Sequence, residues 1–253
     1  MRYLLEFSFN GKNYFGYQIQ PKEISVQEVV EGALSTLLRE EIKIIGAGRT
    51  DTGVHARKMF AHFDYDGEVS SSLTDRLNRF LPPDIAIREI YQVADDFHAR
   101  FDATYRTYNY HISLQKNPFA LDSSYEFYTR SLDLEKMNEA AKRLFDYSDF
   151  EAFSRKGSDN KTSICTIYKA SWRREGEELI FEISADRFLR NMVRAVVGTL
   201  LEVGLGKLST DGFTQIIESK SRAKAGTSAP AKGLFLVDVG YGDQKLMPLK
   251  GKG

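Results

Sequence analysis

Gly46-Ala47-Gly48-Arg49-Thr50-Asp51-Thr52-Gly53-Val54-His55-Ala56 is the stretch on which the reading of this chain turns. It sets an arginine two residues before an aspartate, inside a run with three glycines. Glycine permits positive φ and lets a ring or a polymer come close to the main chain. A guanidinium within a few Å of a carboxyl favours the charged form. Such an aspartate suits a nucleophile or an anionic base and is a poor proton donor near neutral pH. The glycine spacing fits neither a phosphate loop, since no Lys-Ser/Thr follows, nor a dinucleotide fingerprint. Asp51-Thr52-Gly53 also spells the tripeptide of aspartic proteases, whose chemistry needs two carboxyl groups sharing a proton. No second copy occurs in the chain, which leaves only a dimer with one copy per subunit. A surface Arg–Asp pair closing a glycine turn is the plain structural alternative.

Outward from this run the hydrophobic pattern alternates between two periods. Tyr3, Leu5, Phe7 and Phe9 predict a strand, and Asn10-Gly11-Lys12-Asn13 a turn. Ser25-Val26-Gln27-Glu28 has capping-box spacing, ahead of an amphipathic helix through Val26, Val30, Leu34 and Leu38. Strands are expected at Lys43–Ile45, Met59–Tyr65 and Ile85–Val93, and a helix over Leu73–Leu81 stopped by Pro82-Pro83. Asp95–Thr107 reads as a polar passage between halves. Beyond it come a strand at Tyr108–Leu114, a helix through Leu134 and Phe145, and a strand pair, Ile164–Trp172 and Glu178–Ser184, around Glu175-Gly176. A third helix is expected from about Arg187 to Val203, a short one at Thr214–Ser219 and a last strand at Gly233–Val239. Strands flanking a helix on one face make this an α+β pattern, not a βαβ series. We expect two RRM-like sheet-plus-helix halves: residues 1–100 with the Asp51 loop, residues 101–244, and a loose tail over 245–253.

Composition narrows the class. At 253 residues and 42% hydrophobic, the chain can bury a substantial core. No 18-residue apolar run is present and the N-terminus has no secretory pattern, so the expectation is no membrane span and a cytoplasmic location. One cysteine, Cys165, excludes an internal disulfide and a cysteine zinc cluster; it reads as core in an apolar strand. His55, His62, His98 and His111 have no metal-ligand spacing, so no metal is expected. Lys plus Arg equal Asp plus Glu at 35 each, which lowers the expectation of a nucleic-acid binder. A neutral sum still leaves room for a locally basic cleft.

Two further constellations stand out. On a helix, Arg187, Arg190, Asn191 and Arg194 share an arc of about 100°, continued by Gly198. This row reads either as a solvated edge or as guanidinium groups facing a polyanion, with one member pairing Asp51. Tyr105-Arg106-Thr107-Tyr108-Asn109-Tyr110 interleaves aromatics with a cation, as in grips on single-stranded RNA. The plainer reading is an ordinary strand with Tyr108 and Tyr110 on one face.

Together these segments resemble the TruA family of tRNA pseudouridine synthases. The resemblance runs in order through Phe15-Gly16-Tyr17-Gln18, Ser25-Val26-Gln27, Gly48–His55, Asp95-Asp96-Phe97-His98-Ala99-Arg100-Phe101, Arg106–Tyr110, Phe188–Arg194 and Gly233-Leu234-Phe235-Leu236. Tyr17 departs from the tryptophan frequent in that family. The resemblance implies the pseudouridine synthase fold with a central cleft. It also implies isomerisation of uridine to pseudouridine at tRNA nucleotides 38, 39 and 40, in the anticodon stem-loop. It implies a homodimer holding each tRNA across both subunits, and no metal or cofactor. Asp51 would be the catalytic aspartate, Arg49 would extrude the target nucleotide, Tyr108 would pack on its base and Arg194 would pair with Asp51. Arg187, Arg190, Tyr110 and His55 complete the candidate RNA-binding set.

Overall fold

The computed structural model describes residues 1–128, 132–155, 157, 162–244 and 246–249. In chain order the elements are β1 (Arg2–Phe9), α1 (Val26–Leu38), β2 (Ile45–Gly46), β3 (His55–Asp64), α2 (Leu73–Phe80) and β4 (Ile85–Val93). They continue with β5 (Tyr105–Ser113), β6 (Tyr125–Glu126), α3 (Leu134–Lys142), β7 (Ile167–Glu175) and β8 (Glu178–Ala185). The last are α4 (Met192–Gly204), α5 (Thr210–Glu218), β9 (Leu234–Gly240) and β10 (Met247–Pro248). The fold is mixed α+β. The chain divides into two compact units: Met1–Thr104 together with the segment from Leu236, and Tyr105–Phe235.

In the first unit β1 is central, antiparallel to β3 on one side and β4 on the other. Leu4 and Leu5 are both fully buried, so this strand is enclosed on both faces where alternation predicts one. Ser25 opens α1 by accepting a hydrogen bond from the Glu28 N–H at 3.2 Å, a cap worth about 1 kcal/mol. α2 is pinned to β4 by Asn78, whose side chain accepts from Ile87 N (2.7 Å) and donates to Ile87 O (2.9 Å). Part of the expected tail is strand: Met247 pairs with Gln92 and Pro248 with Tyr91. Lys245 and residues 250–253 lie outside the described residues.

In the second unit β8 lies between β5 and β7, antiparallel to both, and β6 runs parallel to β5. The same pinning device recurs. Asn138 of α3 accepts from Trp172 N (2.7 Å) and donates to Trp172 O (3.1 Å). Such a pair satisfies both backbone groups of one strand residue. The expected helix from Arg187 begins only at Met192, because Asn191 takes the left-handed conformation at φ +67° as its N-cap. Asn tolerates that region better than most residues. Arg187 and Arg190 therefore precede the helix and share no helical stripe with Arg194. The strand expected from Ile164 begins only at Ile167, so Cys165 lies just before it, but it is buried. Burial pushes its thiol up to about 12, which fits a core residue and not a nucleophile.

His62 of β3 gives the first unit a pH signature. Its Nδ1 accepts from the Ala99 N–H at 3.1 Å. Burial, with Arg2 and His98 nearby, pushes its pKa down from 6.5 to about 4. Below about 6.5 the unfolded chain binds a proton that the native state refuses. Stability from this group is therefore full above 6.5 and falls as pH drops toward 4. Denaturant midpoints measured across this window should decline, and His62→Gln should flatten the slope. Equal slopes in both proteins would assign the pH dependence elsewhere.

Candidate active site

The Asp51 loop leaves β2 and enters β3, and both flanks are tied. Ile45 pairs with His62 and Gly46 with Ala61, and Ala47 N donates to Phe60 O at 2.8 Å. The loop itself is closed by Val54 N donating to Asp51 O at 3.1 Å. A second segment, residues 11–17, fastens it from outside. Tyr17 N donates to Thr50 O (3.4 Å), Gly53 N donates to Tyr14 O (3.3 Å), and Gly11 N donates to His55 Nδ1 (3.1 Å). Gly16 is the close-approach point. It sits at φ +90°, and a Cβ there would collide with the Thr50 carbonyl and come within 3.3 Å of the Asp51 carbonyl carbon.

This gives the loop residues different standings. Asp51 is half-buried and Arg49 exposed. A carboxylate on a tethered loop, with an exposed cation two residues before it, can act on a ligand without the loop reorganising. His55 is 2% exposed, and its Nδ1 is spent on Gly11. It braces the loop, and little of its ring is exposed.

The second unit carries the other candidates. Tyr108 is half-buried on β5, its ring edge-to-face with Phe188 at 5.2 Å and 89°. Tyr110 lies two residues on, on the same face of the strand. It is fully buried, and its hydroxyl donates to Pro230 O at 2.7 Å. Burial pushes that phenol well above its ordinary range, with Arg194 opposing. Tyr110 is thus also a brace without an exposed face.

Arg194, half-buried on α4, donates through Nε to Ala229 O at 2.7 Å, while Ala229 N donates to Arg194 O at 2.9 Å. Tyr110 and Arg194 therefore hold adjacent carbonyls of one segment. Asn191 Nδ2 and Arg222 both donate to Ser228 Oγ in that segment, at 2.7 and 2.8 Å. Arg187 is half-buried, its N–H donating to Asp186 Oδ1 at 2.8 Å, and Arg190 is exposed. Asp51 and Arg49 belong to the first unit; Tyr108, Tyr110, Arg187, Arg190 and Arg194 belong to the second.

Sequence reasoning missed the braces: residues 11–17 behind Asp51 and residues 226–230 behind Arg194. The glycines at 11 and 16 were their visible signal, but nothing in the sequence says which backbone they approach. Among the described residues, no group of three His, Cys, Asp or Glu side chains could hold a metal ion. No helix among them is long and apolar enough to cross a membrane.

The family model described as tRNA pseudouridine synthase matches residues 7–102 and 140–242, which include the Asp51 loop and Arg194. The chain belongs to the tRNA pseudouridine synthase family. It is 54% identical over 244 residues to tRNA pseudouridine synthase A of Bacteroides thetaiotaomicron, covering 95% of this chain and 90% of the relative. It is 52% identical to the Parabacteroides distasonis protein of the same name, covering 98% and 99%. With tRNA pseudouridine synthase A of Acetivibrio thermocellus it shares 44%, covering 94% and 98%.

Proposed function

We propose that this protein isomerises uridine to pseudouridine at tRNA positions 38, 39 and 40 in the anticodon stem-loop, acting as a cytoplasmic homodimer with no metal or cofactor. The observation that carries the reading is the family match across the loop whose half-buried Asp51 is tethered by residues 11–17. The reaction is redox-neutral. The N1–C1′ bond breaks, the base turns, and C5 bonds to C1′ while a proton leaves C5 and one is gained at N1. Cleavage develops positive charge at the sugar, which a carboxylate stabilises or traps, as in glycoside chemistry. Asp51 is that group, whether it attacks C1′, attacks C6 or removes the 2′ proton.

The remaining residues take supporting roles. The target must leave its stack at a cost of a few kcal/mol, and exposed Arg49 is suited to fill the vacated space. Tyr108, steadied by Phe188, packs on the detached base. Arg194 serves as counter-ion to Asp51, while Arg187 and Arg190 contribute phosphate binding. The family relationship and the Nε tether of Arg194 to Ala229 support this division.

A pseudouridine map of tRNA from cells with and without this protein tests the activity; unchanged positions 38 to 40 would refute it. The division among the arginines has its own test. Arg194→Ala should lower kcat on tRNA roughly 100-fold or more, the scale of losing one group that stabilises charge in the transition state. Arg187→Ala should mainly raise KM. Equal losses in the two variants would make both arginines general phosphate contacts.

A further inference from the structure

Phe97-His98-Ala99-Arg100-Phe101 belongs to the first unit but not to the Asp51 loop, and nothing above gives it a task. Its backbone is held from every side. His98 N donates to Asp102 Oδ2 (2.8 Å), and Asp102 N donates back to His98 O (3.0 Å). Arg100 N and Phe101 N both donate to His98 Nδ1, at 3.1 and 3.3 Å. Ala99 N donates to His62 Nδ1, and Ala99 O accepts from the buried Tyr241 hydroxyl at 2.8 Å. Phe97 O accepts from Arg2 at 2.8 Å.

This fastening does not serve burial of the loop's last aromatic. Phe101 is 74% exposed, although Phe97 in the same loop is buried at 4%. The Phe101 ring rests on His98 at 4.2 Å between centroids and 35° between planes, and the Arg100 guanidinium stands 5.8 Å from its centroid. His98 in turn meets His62 of the core at 4.9 Å. A row of rings thus leads from strand β3 outward and ends in a fixed, solvent-facing phenylalanine beside a cation. A preorganised aromatic face beside an arginine is a stacking platform for single-stranded nucleic acid.

We infer that Phe101, backed by His98 and flanked by Arg100, is a stacking platform for an unpaired nucleobase of the RNA substrate, outside the loop that carries Asp51. The inference rests on the RNA-modifying reading above. Charge decides the occupant. Arg100 beside the ring, and Asp95 and Asp96 earlier in the same connection, are all exposed, whereas the core of a protein–protein interface is depleted of charge. An open aromatic face offers stacking to a base and no hydrogen-bond donor to a phosphate, so the platform takes the base and not the backbone.

The test compares the full-length chain with its Phe101→Ala and Phe101→Trp variants, using an unmodified tRNA transcript. Phe101→Ala should weaken tRNA binding about tenfold, the scale of one lost base–aromatic stack. It should leave kcat at saturating tRNA, the melting temperature and the salt dependence of Kd unchanged, since no phosphate contact is lost. Phe101→Trp should keep the Kd, and its emission should be quenched by tRNA; the native Trp172 is buried and supplies the background. An unchanged Kd in Phe101→Ala, or no quenching in Phe101→Trp, overturns the platform. A changed oligomeric state in Phe101→Ala also overturns it and assigns the ring to a contact between copies. Kd is read independently of turnover. A chain that binds tRNA without modifying it would therefore sink the activity reading while the variants still judge the platform.

Discussion

Asp51→Asn should abolish pseudouridine formation while leaving tRNA affinity and folding intact. The substitution is nearly isosteric, and the loop does not depend on the carboxylate for its backbone tethers. Those run through Ala47 N, Thr50 O, Asp51 O, Gly53 N and His55 Nδ1. On the proposed mechanism, what is lost is the negative charge and nucleophilicity that Asp51 brings to the sugar–base bond. Loss of the central group in a cooperating site typically costs on the order of 10^4-fold or more in kcat. Three measurements separate this from a folding defect: release of the uridine C5 proton from tRNA, tRNA Kd and thermal melting. Retention of wild-type turnover with unchanged melting would remove Asp51 from the chemistry.

Gly198→Ala should be among the most destabilising single-methyl changes in the chain. On propensity alone it would help α4, since alanine in a helix interior is favoured over glycine by about 1 kcal/mol. The site reverses that sign. A Cβ on Gly198 would collide with the Thr227 carbonyl oxygen and stand 2.9 Å from its carbon. Both groups are backbone, so no side chain can swing aside. Overpacking of this kind costs typically 1–3 kcal/mol, occasionally more. Relief requires moving residues 226–230 off α4, which strains the bonds from Gly226 N to Thr199 Oγ1 and from Ala229 N to Arg194 O. We therefore expect a net loss of about 2–4 kcal/mol. It should come with a drop in kcat, because the Arg194 tether shares that segment. Urea unfolding followed by turnover at fixed folded fraction checks both. A variant as stable as the parent would mean that the helix and this segment part without cost.

Periodicity and caps carried most of the secondary structure. Ser25 starts α1 and Pro82 follows the end of α2 near the expected places, because both signals act within a few residues. The errors fall where tertiary contacts outweigh local preference. Asn191 at φ +67° delays α4 by five residues against an apolar pattern that reads as helix from Arg187. Met247–Pro248 is too short to show an alternation, and its strand exists only because β4 offers an edge. In the candidate site, Asp51 and Arg49 stand out in sequence because glycine and charge crowd into one run. His55 and Tyr110 are buried braces in this fold, and residue type alone does not report burial. The braces behind Asp51 and Arg194 run through backbone groups of residues 11–17 and 226–230, whose partners residue type does not reveal.

The division of the chain has a consequence for its synthesis. The first unit is interrupted in sequence by the whole of the second and resumes only at Leu236. Asp238 then pairs with Lys58 at 2.9 Å, and Gly240 O accepts from Thr104 N at 2.8 Å. A ribosome releases residues N-terminal first, and domains generally fold as units during synthesis. Every residue of the second unit has therefore been made before the first unit has all of its strands. The portion carrying Asp51 emerges earliest yet is completed last, and until then it waits with unpaired strand groups, the kind of edge that recruits other chains.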